Sequence, residues 1–599
     1  MGKLKLRDEI AVSSTWDLTK IYPSDDAWYQ ELETLKQEYP AYDQYKETMM
    51  ESAEQLYALL KFDEKISRKL EKLYVYASMK SDQDKGNTTY LEMSSNIETL
   101  YQEIIKKSVY ITPTLLKYPY SKIEAWYQEK PELKEFELSL QEIYRYQPHT
   151  LSEEKEKLLA SYSGALNTID NVFDVLTNSD MNLGMIKNEE GEEVELTEGN
   201  YSVYIRSKNR EVRKQAFHRL FSSYEQFKNT IASTFVGNIE KAKAYAETHH
   251  YNTSLQAYLF RDELTEDIYQ TLIDTVNNKM DVIKKYFQLK KEVLGLDEMH
   301  LYDIYVDIVK GSDKNYTFEE AQKIVENAFV IFGEEYQKTL HRAFTERWID
   351  IYPNKGKRSG AYSGGCYDTL PYVLLNYNGS LNDISTLAHE LGHSVHSYYA
   401  RTNNPYQTGD YCIFVAEIAS TVNELLLSHY LLEHTNDKEE KLQILAELME
   451  LFKGTIYRQT MFAEFEKMMH DKKQQGLALT SDTISHEYYE LNKKYFANEV
   501  ILDDKIKYEW ARIPHFYTPF YVFKYATGLS CACKIVTDIL SNKPNAKENY
   551  IAFLKHGSKD HPIEHLKMVG IDITKPDYIE SAIDMFDQTI EKFKKIYHS

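Results

Sequence analysis

The sequence predicts a mainly α-helical protein with a small β component, and three observations carry that expectation. Glycine and proline number only 22 and 14 among 599 residues, about half of ordinary usage, whereas strand-and-turn architectures need more of both. Apolar residues recur at helical spacing over 45–110, 150–176, 210–248, 265–295 and 576–597, as amphipathic helices require. Strand signals are confined to two short stretches, 181–197 and 361–377.

Each element has a local cause. Thr317 and Glu320 stand three apart ahead of Ala321, Ile324, Val325, Ala328 and Phe329, a capping box opening an amphipathic helix. The run MNLGMIKNEEGEEVELT reads as a hairpin turning near Gly191. The run AYSGGCYDTLPYVLLNY at 361–377 reads as an edge strand. Pro371 is tolerated where no backbone donor is needed, and Gly364 and Gly365 admit close approach of another backbone. A peptide could pair there as an added strand, with Tyr372 among the residues that would contact it.

Composition narrows the function classes. With 42% hydrophobic and 27% charged residues the chain has ample material for a core. Lys and Arg number 71 against 93 Asp and Glu, a net charge of −22, which repels phosphate backbones and anionic lipid, so neither nucleic acid nor membrane is expected as a partner. The four cysteines, Cys366, Cys412, Cys531 and Cys533, are too few and scattered for a disulfide framework. The first thirty residues lack an apolar signal core, and no stretch reaches eighteen apolar residues without a charge. A reduced, cytoplasmic protein is the expectation.

The chemistry sits at His389-Glu390-Leu391-Gly392-His393. Asp383 and Ser385 are cap candidates for the surrounding helix, and Leu387, Ala388, Leu391, Val395 and Tyr398 make it a mostly buried one. In a helix, residues four apart lie one turn apart on one face, so both imidazoles can reach a single ion at the zinc–nitrogen distance of about 2.0–2.1 Å. Glu390, rotated by roughly 100°, falls beside the ion, where a base for an activated water belongs. About 0.05 such motifs are expected by chance in a chain of this composition, so the match alone does not decide. Catalytic zinc takes three protein ligands. The pattern that would supply a third histidine fails, with His396 where glycine is needed and Tyr399 where histidine is needed. His396 lies about 10.5 Å along the axis from His389, too far to share the ion, and reads as a supporting or packing residue. Downstream, the apolar run 413–432 carries Glu417, Ser420, Thr421 and Glu424 on one stripe. Buried carboxylates need a reason: Glu417 and Glu424 either bind the metal, bond to its histidines, or meet basic partners.

Taken together, GKRSGAYSGGCYDTLPYVLLNYNGSLNDISTLAHELGHSVHSYY at 355–399, FVAEIASTVNE at 414–424 and IPHFYTPFYVFKYATG at 513–528 resemble the M3 family of zinc metallopeptidases, and more closely its oligoendopeptidase F branch. TWDLTKIYPSDDAW near the N-terminus and NREVRKQAFHRLFSSY at 209–224 extend the likeness over nearly the whole chain. The resemblance implies a bilobal helical metallopeptidase with a deep substrate channel and a small antiparallel β element beside the zinc helix. It implies an N-terminal helical region at 1–110, an oligopeptidase F-like helical region at 111–200 and an M3-like catalytic region at 201–599. It implies one zinc ion per chain on His389, His393 and Glu417, with Glu390 as base, Glu424 as a supporting residue, and His515, Tyr517, Tyr521 and Tyr525 as the segment that stabilises the tetrahedral intermediate. The expected activity is endopeptidase hydrolysis of short unstructured oligopeptides. A carboxypeptidase on a similar scaffold and a silent peptide-binding protein are the alternatives.

Overall fold

The structure, a computed structural model, describes residues 4–311 and 314–599. Its longest helices, in chain order, are α1 (Ala53–Gln83), α2 (Thr88–Ser108), α3 (Glu153–Val175), α4 (Arg210–Thr248), α5 (Leu381–Asn403), α6 (Ile413–His434), α7 (Arg458–Gln474), α8 (Phe523–Leu540) and α9 (Asp577–Tyr597). The strands are β1 (Met185–Lys187), β2 (Glu193–Glu195), β3 (Ile349–Asp350), β4 (Tyr362–Gly364) and β5 (Tyr372–Leu374). Contacts divide the chain into two compact units. The first collects Met1–Thr150, Lys314–Tyr430 and Asp538–Val569, and the second Leu151–Asp313, Leu431–Thr537 and Gly570–Ser599.

In the first unit, Ser52 caps α1 and Asn87 caps α2 through their side-chain oxygens, satisfying amide donors that the first helical turn leaves over. α1 buries Leu56, Leu59, Ile66, Leu70 and Leu73, a stripe of period 3.6. The Trp28 indole packs on this stripe, donating to the Leu73 carbonyl at 2.9 Å. The same apolar cluster takes in Tyr372 and Leu374 from far along the chain. Thr317 and Glu320 form the expected capping box.

The stretch 361–377 corrects the expectation of one edge strand. It is two strands, β4 and β5, joined by a turn, in a sheet ordered β3-β5-β4, with β5 parallel to β3 and antiparallel to β4. The edge is therefore β4, and β5 is central. Gly365 makes the turn at φ +146, where a Cβ would lie 2.7 Å from the Leu370 carbonyl oxygen. Pro371 stands just before β5, where its missing donor costs no ladder bond.

In the second unit, Asn209 caps α4, and β1 and β2 pair antiparallel about Gly191, whose φ is +82. The 265–295 run is two helices, Glu266–Asn278 and Met280–Val293. The break falls at Lys279, whose ψ of 30 is off the helical value. Between α7 and α8, Phe520 adopts φ +57, a left-handed conformation that is costly for a bulky residue. Its N–H donates at 2.9 Å to Glu466 of α7, which is fully buried.

Burial pushes the Glu466 carboxyl up to about 8. Unfolded, such a group titrates near ~4.3, so the folded state holds the extra proton between these values. The stability this confers is full at low pH and lost as pH rises through the folded value. Glu466→Gln keeps an acceptor for Phe520 and cannot ionise. Denaturant midpoints of the two proteins should be similar near pH 5 and separate by pH 8–9, the variant then being the more stable, by on the order of a few kcal/mol.

Candidate metal centre

α5 starts one turn earlier than the cap candidates suggested. Ser380 is the N-cap and Asp383 closes the box, the Ser380 N–H donating to Asp383 at 2.9 Å and the Asp383 N–H to Ser380 Oγ at 3.2 Å. Asp383 thus caps as the third helical residue, and Ser385 is interior. Leu387, Ala388, Leu391 and Val395 are fully buried, which fixes the rotation of α5 and turns His389 and His393 to one side.

On that side the two Nε2 atoms lie 3.2 Å apart, and each is 3.6 Å from Glu417 Oε2. A tetrahedral ion with ligands at 2.0–2.1 Å sets its ligand atoms about 3.3 Å apart. The donor set and spacing therefore fit one face of a zinc tetrahedron, which leaves a corner for water or substrate. His389 and His393 are partly buried, whereas the Glu417 side chain is 58% exposed.

The approach of α6 to α5 places Glu417. A Cβ on Gly392 would lie 2.7 Å from Ser420 Cα and 2.8 Å from the Ala419 carbonyl oxygen, closer than real Cβ atoms come. Only glycine lets the two backbones meet so closely. Asn423, fully buried on α6, donates to the Ala388 carbonyl at 3.0 Å and accepts from the Tyr336 hydroxyl at 3.0 Å. Neither role was read from the sequence, although a buried amide in an apolar run was the available signal.

Glu424, two turns along α6 from Glu417, accepts a short hydrogen bond from His389 Nδ1. That bond leaves Nε2 with its lone pair toward the site. Burial opposes protonation of His389, but the hydrogen bond and charge of Glu424 outweigh it and hold the imidazole above its ordinary value. Glu417 is held below the usual carboxylate range by hydrogen bonding to His393, against the effect of burial. Glu390 is 7% exposed, and burial raises its carboxyl even though both histidines pull it down. β4 runs beside α5, Ser363 Oγ meeting Ser394 Oγ at 2.8 Å, and the Ser363 backbone N–H draws the Glu390 carboxyl slightly down.

Other candidates fall elsewhere. His396 is fully buried with neither ring nitrogen bonded, its ring stacked on Tyr411 at 3.6 Å. It packs and supports no ligand. Tyr372 is fully buried in the central strand, its hydroxyl donating to the Asp17 carbonyl at 3.0 Å. It is a core residue rather than a substrate contact, because β5 has a neighbour on both sides. Gly364 ends the edge strand and Gly365 the turn beside it. His515, Tyr517, Tyr521 and Tyr525 belong to the second unit. Tyr525 lies edge-on to both His515 and Tyr521, with centroids 6.0 and 5.5 Å apart. Tyr517 is separately held, stacked on Phe173 at 4.2 Å with its hydroxyl 2.7 Å from Thr234 Oγ1.

Residues 203–585 match the model of Peptidase family M3, and 115–182 match that of Oligopeptidase F. The chain belongs to peptidase family M3. Oligopeptidase PepF of Bacillus subtilis is 42% identical over 99% of this chain and 89% of that protein. Group B oligopeptidase PepB of Streptococcus agalactiae is 40% identical over 98% of both. The crystal structure of oligoendopeptidase-F from Enterococcus faecium superposes with a TM-score of 0.74 at 34% identity, covering 96% of this chain and 99% of that one. A Chlamydophila abortus crystal structure does so with 0.94 at 36%, covering 99% and 100%. This M3 chain is a metallo-oligopeptidase of mainly helical fold.

Glu424→Gln should weaken metal retention roughly 10- to 100-fold, read by competition with a chromogenic chelator. Gly392→Val should weaken it as well, by forcing α6 off α5.

Proposed function

We propose that this member of the family is a zinc-dependent endopeptidase cutting internal bonds of short, unstructured oligopeptides. The observation that carries the reading is the triangle of His389, His393 and Glu417 donor atoms with the buried Glu390 beside it. His389, His393 and Glu417 would hold a zinc ion, which would supply Lewis acidity toward the scissile carbonyl and lower the pKa of water. Glu390 is placed to hold the proton that an attacking water gives up and to return it to the leaving amine. The raised carboxyl of Glu390 suits the first task, since it makes the carboxylate a stronger base for the water's proton. Glu424 keeps the His389 tautomer fixed through both steps. β4 offers its edge to the substrate backbone, and the contact of Ser363 Oγ with Ser394, one turn beyond Glu390 on α5, sets that edge beside the base.

The 513–528 segment enters on its likeness to the family. His515, Tyr521 and Tyr525 are the donors we assign to the developing oxyanion, and Tyr517, whose hydroxyl is shared with Thr234, is set aside. A cytoplasmic setting suits Cys366, Cys531 and Cys533, buried thiols tied by no disulfide. Among the described residues no helix is long and apolar enough to cross a membrane.

The purified, zinc-loaded protein should cleave an internally quenched peptide of about ten residues and leave folded proteins intact. Glu390→Gln should keep its zinc by metal analysis and lose roughly 10²- to 10⁴-fold in kcat. Peptides amidated at the C-terminus should still be cut internally; a requirement for a free C-terminal carboxylate would make the enzyme a carboxypeptidase. Tyr525→Phe should lower kcat roughly 10²- to 10³-fold.

A further inference from the structure

The first unit holds a cavity of about 930 Å³ for which the peptidase reading has no use so far. It is lined by Asp63, Glu64, Glu71, Glu98 and Asp410, with Arg401 the one base among the lining residues. Glu64 is occupied by Lys61 and Arg68. Glu71 and Asp410 have no basic partner within ion-pair distance among the described residues. Glu71 accepts the Tyr406 hydroxyl at 2.6 Å, and burial, opposed by that bond and by Arg401 and reinforced by the charge of Asp410, holds its carboxyl above the ordinary value. Arg401 alone among the lining residues offsets these acids, so the wall keeps a net negative charge.

The cavity continues the proposed substrate edge. Gly365, Cys366 and Tyr367, which follow β4 directly, form part of its wall. Arg401 donates through Nη2 to the Gly365 carbonyl at 3.3 Å, while its Nη1 is buried with no hydrogen-bond partner. Glu390 and Arg401 are eleven residues apart on α5, a rotation of about 20° beyond three full turns and about 16 Å along the axis. They share one face, and β4 with its following turn lies against α5 from Ser363, whose Oγ meets Ser394 Oγ, to Gly365, whose carbonyl accepts from Arg401. At about 3.3 Å per residue, and with the arginine side chain leaning back toward the helix N-terminus, the cavity lies roughly three to five extended residues from the scissile bond. A peptide paired antiparallel to β4 would send its N-terminal side there.

We propose that this cavity is a subsite for an ammonium group carried on the N-terminal side of the cleaved bond, held by Glu71 and Asp410, with Arg401 Nη1 available to an adjoining carbonyl. The group is either the peptide's own α-amine or a lysine side chain. The proposal rests on the peptidase reading for its substrate and adds the charge that substrate should carry. The opposite peptide direction would bring a C-terminal carboxylate against uncompensated acids.

The test uses the zinc-loaded full chain and a quenched peptide series with one cleavage site, whose N-terminal side is three to five residues long. The members carry a free amine, an acetyl cap, or an acetyl cap with Lys or its neutral isostere norleucine at the distal position. In the wild type, kcat/KM should fall about tenfold on losing the ammonium, the scale of one charge-assisted contact. The change should lie in KM, and the ratio of charged to neutral substrate should shrink as salt is raised. The free-amine and lysine arms distinguish the two sources of the charge. In Glu71→Gln/Asp410→Asn, and in the milder Asp410→Asn alone, that ratio should move toward one. Equal cleavage of all members by the wild type, or a ratio unchanged in the double variant, would overturn the subsite while leaving the peptidase reading intact. No cleavage of any member would instead remove the peptidase reading.

Discussion

The arrangement of this protein's chemistry depends on two helices meeting backbone to backbone. α5 carries both imidazoles and the base, and α6 carries the carboxylate that completes the donor triangle. The two halves register only because Gly392 has no side chain where Ser420 and Ala419 arrive. The glycine of the His-Glu-Leu-Gly-His motif is thus a spacing element between two ligand-bearing surfaces as well as a member of a signature. Asn423 reinforces the same contact by spending a buried amide on the α5 backbone. Glu424 uses the proximity a second way, orienting His389 from behind. An extra methyl group at this junction would act on the position of Glu417, the bonding of His389 and the packing of Asn423 together.

Much of this was legible beforehand. The i, i+4 histidines and the intervening glutamate follow from helical geometry, and the buried stripe of Leu387, Ala388, Leu391 and Val395 dictates which way they face. The long α4 over 210–248, the hairpin about Gly191 and the capping box at Thr317 were also readable, because each has a local cause in a few adjacent residues. What escaped was non-local. Whether 361–377 was one strand or two depended on a turn at Gly365 whose reason is the Leu370 carbonyl. That β5 is central, and Tyr372 therefore core, depended on β3 arriving from upstream. Asn423 escaped for a like reason: its partners, Ala388 and Tyr336, lie on other elements.

The carboxylates show how context separates like residues. Glu390, Glu417 and Glu424 all act on His389, yet their environments differ. Glu390 is buried and pushed toward the neutral form. Glu417 is outermost and kept ionised by His393. Glu424 spends its charge on an imidazole proton. A base, a ligand and an orienting group need these three different settings, and the division comes from depth and partner rather than residue type. The same reasoning distinguishes the carboxylates of the neighbouring cavity, where Glu64 is neutralised by lysine and arginine and Glu71 is not.

The partition of the chain bears on how the molecule is made. Each unit is assembled from three separated stretches, and the backbone passes from one unit to the other five times, the last near Val569 and Gly570. The N-terminal apolar cluster is itself incomplete until Tyr372 and Leu374 exist. At roughly 5–20 residues per second of synthesis, the final stretch of the first unit leaves the ribosome only about half a minute to two minutes after its beginning. Throughout that interval the early helices must wait with apolar surface uncovered, so the nascent chain is a natural client for holding chaperones, and neither unit should be obtainable by simple truncation.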